Sequence, residues 1–335
     1  VKTFGLLVVI LCLPLAMRSQ NAAGAVAAKA LTATAVQCDR DASDASGCHA
    51  NYPAGCGRKK GSTGFVPGYK PEHDPYLNYF KNQVPKVLPK SQGVLGKADF
   101  DKLTDDAFTI SKKNPITKNN HGGHSQELLG LKEGQYFTVI GYLYYSEVTG
   151  AESSNCDLPK KSPDDPAEDY HIGLGFDAQE AKQVKAGKLQ LAAAEEASTA
   201  KEPATAKQPT GKKTMGGASS GADKEPSPLE KHSIVVEMTP HYRSKYHNGK
   251  WTHSLLESIK GRQVKVVGQL LLDNDHMGDA DICRPSAAPT SCWRLSPWEL
   301  HPVTEFYVCK SDSCTEDSPN WVALDDAPGQ GIGKQ

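Results

Sequence analysis

WELHPVTEFYVC, residues 298–309, alternates apolar and polar side chains with a period of two, the pattern of a half-buried strand. Trp298 and Leu300 fall on one face, while Glu299 and His301 fall on the other. Two groups able to bind metal or carry protons therefore stand side by side on a strand whose opposite face is core.

DYHIGLGFD, residues 169–177, has the same design. Tyr170, Ile172, Leu174 and Phe176 alternate with Asp169, His171, Gly173 and Gly175. GQYFTVIGYLYYSEVTG (134–150) precedes it as a β-branched and aromatic run closed at each end by glycine. HSIVVEMTP (232–240) sets Ile234, Val236 and Met238 against Val235, Glu237 and Thr239, and Pro240 stops the strand. WTHSLLESIKG (251–261) carries a helical stripe of Trp251, Leu255, Leu256 and Ile259 with Gly261 at its C-terminal stop. RQVKVVGQLLLD (262–273) is a further strand, and 298–309 is the last.

Strand, strand, strand, helix, strand, strand is the order of an OB-fold, so the expected class is mainly β, a small antiparallel barrel of OB type. Gly141 and Gly268, inside the first and fourth strands, mark bends or bulges.

The remainder of the 335 residues is less core-like, with a mean hydropathy of −0.51. Residues 1–27 read as a signal peptide: Lys2, an apolar run from Phe4 to Met17, then small residues. That run is short for a membrane span, and nothing later approaches the necessary length. Residues 28–127 read as a loop-rich, cysteine-bearing leader containing two short ordered pieces, DPYLNYFKNQV and ADFDKLTDDAFTI. The barrel occupies 128–310, interrupted at 178–231 by an Ala-, Lys- and Pro-rich insertion that begins helically and then buries too little to order. The tail, 311–335, reads as irregular. A secreted or periplasmic location follows.

With the signal peptide removed, Cys38, Cys48, Cys56, Cys156, Cys283, Cys292, Cys309 and Cys314 remain, and an even set in an oxidising compartment reads as disulfides. Cys283 with Cys292 and Cys309 with Cys314 are spaced to close local loops. Lys plus Arg at 38 against Asp plus Glu at 39 gives no global footprint for nucleic acid or anionic membrane. Locally, HYRSKYHNGKW offers Arg243, Lys245 and Lys250 among aromatic rings, a set able to hold phosphate or stack bases. A solvated basic loop accounts for the same residues. HGGH (121–124) reads as a flexible loop, and GxSxG, HExxH and P-loop patterns do not occur.

If the apolar faces turn inward, Asp169, His171, Glu237, Glu299 and His301 share the outer face, with Asp273 and His276 of LLLDNDHMGD at its rim. DYHI, the Glu of VVEMTP, GQLLLDNDHMGD and WELHPV, in that order, resemble the signature of a family of uncharacterised, mostly secreted bacterial proteins across roughly residues 136–309. The resemblance implies one shared polar site made of these seven residues, without an activity. The long insertion, Cys283 and Cys292 depart from that pattern around His276. Two readings stay open. The groups hold a divalent cation that activates water against a phosphodiester or similar ester, or they pair with one another in an exported binding or envelope-associated module whose ligand is unknown.

Overall fold

The computed structural model describes residues 57–58, 65–66, 75–81, 88–150, 152–155, 168–189, 228–278, 282–283 and 292–333. Residues 1–27, read from the sequence as a signal peptide, the cysteines at 38, 48, 56 and 156, and residues 190–227 of the insertion lie outside the described residues. Strands β1 (Gly57–Arg58) and β2 (Phe65–Val66) form a separate ribbon. Strands β3 (Val94–Leu95), β4 (Tyr136–Val148), β5 (Tyr170–Gly175), β6 (Ser233–Met238), β7 (Gln263–Leu272), β8 (Trp298–Cys309) and β9 (Trp321–Ala323) form a seven-stranded sheet.

The sheet closes on itself. Strand β4 pairs with both β5 and β7, and the path β4-β5-β6-β8-β7 returns to β4. Neighbours in the ring run antiparallel except β6 and β8, which are parallel with Val236 opposite Leu300. The five long strands thus match those read from the sequence. Their inward sides meet in one core, with Ile172, Val236, Leu270, Leu300 and Phe306 all buried. Glycine permits closure where backbones crowd: a Cβ on Gly268 would stand 2.9 Å from Leu300 Cβ, at the register shift between β7 and β8.

Gly175 has a different role. An added Cβ there would lie 2.0 Å from the Tyr144 ring, and the Tyr144 hydroxyl is anchored by donating to Glu180 Oε2 at 2.8 Å. Gly175→Ala is therefore expected to lower the urea unfolding free energy by about 1–3 kcal/mol. Adding Tyr144→Ala to it should recover part of that loss. A neutral Gly175→Ala would mean that the ring moves freely.

The helices are α1 (Pro75–Lys81), α2 (Lys97–Lys113), α3 (Ser125–Gly130), α4 (Ala178–Lys185), α5 (Pro228–Lys231), α6 (Pro240–His247) and α7 (His253–Ser258). Several expectations need correction. ADFDKLTDDAFTI is part of a 17-residue helix, α2, whose Phe100, Ala107 and Phe108 join the main core. The basic stretch after β6 is helix α6, with Pro240 at a position where its missing N–H costs nothing, so two helices rather than one separate β6 from β7. HGGH is a 3-10 turn whose buried His121 meets Glu133 at 2.9 Å. The tail contributes β9, which extends the ring beside β8. The insertion begins helically, as expected, in α4, where the Asp177 side chain caps Gln179 and Glu180. Disulfides join Cys283 to Cys292 and Cys309 to Cys314. Among the described residues no helix is long and apolar enough to cross a membrane.

Candidate metal centre on the flank of the ring

Three strands carry the polar set through their pleat. His171 in β5 lies directly opposite Glu237 in β6, the cross-strand spacing at which side chains touch. The parallel register of β6 with β8, Val236 opposite Leu300, sets Glu237 beside the outward-facing Glu299 and His301. Asp169 precedes β5, and Asp273 follows β7, where its side chain accepts from Asp275 N at 3.0 Å. The seven predicted residues converge, although His276 stays at the edge, 3.8 Å from Asp273.

This outer face is not open to water. Asp169, Glu237, Glu299 and His301 are each 0% exposed. The cover comes from α1 and the segment 152–155: Phe80 O accepts from Gln269 Nε2 of β7 at 3.1 Å, and Ser153 bonds Asn78 at 3.1 Å. The cover also adds charge that sequence reading missed. Lys81 Nζ lies 3.5 Å from Glu152 and 3.9 Å from Asp273. Arg294 donates to Glu299 Oε2 at 3.0 Å and stands 3.7 Å from Asp273. Asn155 donates to Asp169 Oδ2 at 2.7 Å.

Glu237 is the centre. Its Oε1 lies 2.8 Å from His171 Nε2, and its Oε2 lies 3.0 Å from His301 Nδ1. Despite those separations, Glu237 Oε1, Glu237 Oε2 and His171 Nε2 have no aligned hydrogen-bond partner. Asp169 Oδ1 and His301 Nε2 are likewise without one. Glu237 and His171 are still ion-paired, so the costly burials that need an account are Asp169 Oδ1 and His301 Nε2, beside a Glu237 whose contacts miss regular hydrogen-bond angles. Donor atoms that point toward a common ion, rather than along a shared proton, produce this geometry. Three trios place one ligand atom from each member within 4.8 Å of the others: Glu152, His171 and Glu237; Asp169, Glu237 and His301; Glu237, Asp273 and Glu299. Glu237 belongs to all three.

The charges are unbalanced toward anion. Five carboxylates face two permanent cations, Lys81 and Arg294, an excess of three negative charges when the imidazoles are neutral. The protonation equilibria respond accordingly. Burial, joined by the neighbouring Glu152 carboxylate, pushes Asp169 up to about 7. Burial works against the charged imidazole of His301, yet Glu237 and then Glu299 outweigh it and raise the group to about 10. His171 is raised well above its ordinary value in the same way by Glu237 and Glu152. Burial would also raise Glu152, but Lys81 and His171 bring it down to about 2.

The pH dependence of the chelator-treated chain follows in sign. The unfolded Asp169 ionises near pH 3.9 and the folded one near 7, so stability declines across that window. The His301 contribution is whole below about pH 6.5 and is lost as pH rises through about 10. Urea unfolding at pH 5, 7 and 9 is expected to give successively lower free energies. A rise over that range would contradict both assignments.

The expected phosphate-binding set does not assemble as read. Arg243 is fully buried, its guanidinium stacked 3.7 Å over the Tyr170 ring and donating to Met238 O and to Glu168 O, so it ties β5 to β6 instead of meeting solvent. Lys245 lies 4.9 Å from the Tyr246 ring, and Lys250 is exposed beyond the end of α6. Compared with family models, with curated proteins and with solved structures, the chain finds no match.

Proposed function

We propose that this chain is an exported module built on an OB-type barrel whose flank binds a divalent cation around Glu237. For the fold, the support is strand order: β4 beside β5 and β7, β6 parallel to β8, and helices between β6 and β7, the Greek-key path of a five-stranded OB barrel. For export, it is the leader read from the sequence together with two disulfides. The likeness of its signature residues to a family of secreted bacterial proteins belongs to the same reading. The observation that carries the cation is the buried Glu237 carboxylate, with two histidines at 2.8 and 3.0 Å and no hydrogen-bond alignment on either oxygen.

Mixed imidazole and carboxylate ligands suit Zn²⁺ or Mn²⁺ better than Mg²⁺. The test is calorimetric titration of the oxidised chain, stripped with chelator, together with unfolding at saturating metal. Free cation at one hundred times Kd is expected to raise the unfolding free energy by about 2.7 kcal/mol. Absence of both heat and stabilisation with Zn²⁺, Mn²⁺ and Ca²⁺ would reject the site.

A second reading, metal-dependent hydrolysis of a phosphodiester or related ester, is favoured by one feature. The His171 and Glu152 side chains keep 22% and 24% exposure at the edge of the cover. An ion held there retains a position for water and substrate, the arrangement that distinguishes catalytic from structural sites. Cleavage of single-stranded DNA or RNA by the metal-loaded chain, abolished by chelator, is the corresponding assay.

A further inference from the structure

We infer that the flank binds two divalent cations, with Glu237 as the carboxylate bridging them. The inference rests on the reading of this face as a cation site. Each oxygen of Glu237 faces a different histidine, Oε1 toward His171 and Oε2 toward His301. Each histidine in turn has a second carboxylate beside it. Glu152 Oε1 is 3.7 Å from His171 Nε2, and Asp169 offers an oxygen to the trio with His301. The outcome is two matching half-sites, each one imidazole and two carboxylates, that share a single residue.

Spacing agrees with coordination. Two donors each about 2.1 Å from one ion lie about 3 Å apart when at right angles and about 4 Å apart when opposed. The 2.8 and 3.7 Å separations around His171 correspond to that range. In the second half-site Asp169 Oδ1 and His301 Nε2 are buried without a hydrogen-bond partner. Glu237 Oε2 and Glu299 Oε1 both approach His301 Nδ1, at 3.0 and 3.2 Å, so Nδ1 is the nitrogen that this half-site turns toward the bridging carboxylate, with its proton displaced by the ion.

The third trio is the poorer choice for the second ion. Its Asp273 and Glu299 already face Arg294 at 3.7 and 3.0 Å, and a guanidinium cannot give up its charge. Those two carboxylates already have a fixed cation between them, with Lys81 a further 3.9 Å from Asp273. With the imidazoles neutral as ligands, the excess of three negative charges becomes one negative with one dication and one positive with two, so the charge of the cluster accommodates either occupancy. A paired centre of this kind, with ions about 3.5–4 Å apart, clamps an anionic group such as a phosphoester.

The experiment measures stoichiometry in the full oxidised chain. After chelator treatment, Mn²⁺ or Zn²⁺ is titrated and the bound metal is counted by elemental analysis, and the Mn²⁺ form is examined by electron paramagnetic resonance. Two ions per chain with spin-coupled Mn²⁺ is the expected result. His171→Ala should halve the stoichiometry and remove the coupling. One ion per wild-type chain overturns the second site alone, and two uncoupled ions overturn the Glu237 bridge. No bound ion overturns the cation reading itself.

Discussion

Glu237→Ala is expected to abolish cation binding and to lower the unfolding free energy of the metal-free chain by about 3–5 kcal/mol, the cost of removing one partner from a buried charge cluster. Glu237 is the only acid common to the three ligand trios found among the described residues, so no trio survives its loss. Without metal, the carboxylate serves a second purpose as counter-charge to His171 and His301 at 2.8 and 3.0 Å. The same proximity holds Glu237 well below the ordinary carboxylate range despite burial. Its removal leaves both rings to shed their protons or to remain charged in a dry site. Glu237→Gln separates the two roles, because it preserves volume and one acceptor while removing the charge. We expect Glu237→Gln to fold, with a smaller loss of stability, and still to show no binding in calorimetry. A Glu237→Gln chain that binds metal with wild-type affinity would place the ion elsewhere.

Much of this face could be read from the sequence because strands translate alternation into sidedness. Asp169, His171, Glu237, Glu299 and His301 belong to period-two runs, and once the ring closes they have one place to go. Their burial was not legible. It depends on α1 and residues 152–155, whose sequences carry no periodicity that identifies which face they will cover. Lys81 and Glu152 share that obscurity, as surface-type residues in short segments. Arg243 misled for a physical reason: a guanidinium beside aromatic residues suggests a phosphate or base contact, yet the same chemistry stacks it on Tyr170 inside the fold. Helix α2 is a different case, since Phe100, Thr104, Ala107 and Phe108 recur at helical spacing. That signal was present and pointed to a longer element than the short piece expected.

Arg294→Ala is expected to cost about 3–5 kcal/mol, comparable with Glu237→Ala but by the opposite imbalance. Arg294 is 1% exposed, and its three nitrogens have separate tasks: Nε donates to Ser296 O at 2.8 Å, Nη2 donates to Glu299 at 3.0 Å, and Nη1 stands 3.7 Å from Asp273. Its backbone is fixed from the other side, where Arg294 O accepts from Cys283 N at 2.8 Å, next to the Cys283–Cys292 disulfide. Truncation leaves Glu299 buried against His301 alone and deprives Asp273 of one of the cations that hold it ionised. A double-mutant cycle with Glu299→Ala isolates the pair, and the expected coupling is about 0.5–3 kcal/mol in urea unfolding. Additive losses would mean that Arg294 acts through packing alone. Cation binding supplies the complementary readout, because Arg294 faces Asp273 and Glu299, the two acids that the proposed pair of ions does not use. Freed of it, Asp273 and Glu299 become competent ligands, so the Arg294→Ala chain, where it folds, should bind metal at least as tightly as the wild type while being less stable without it.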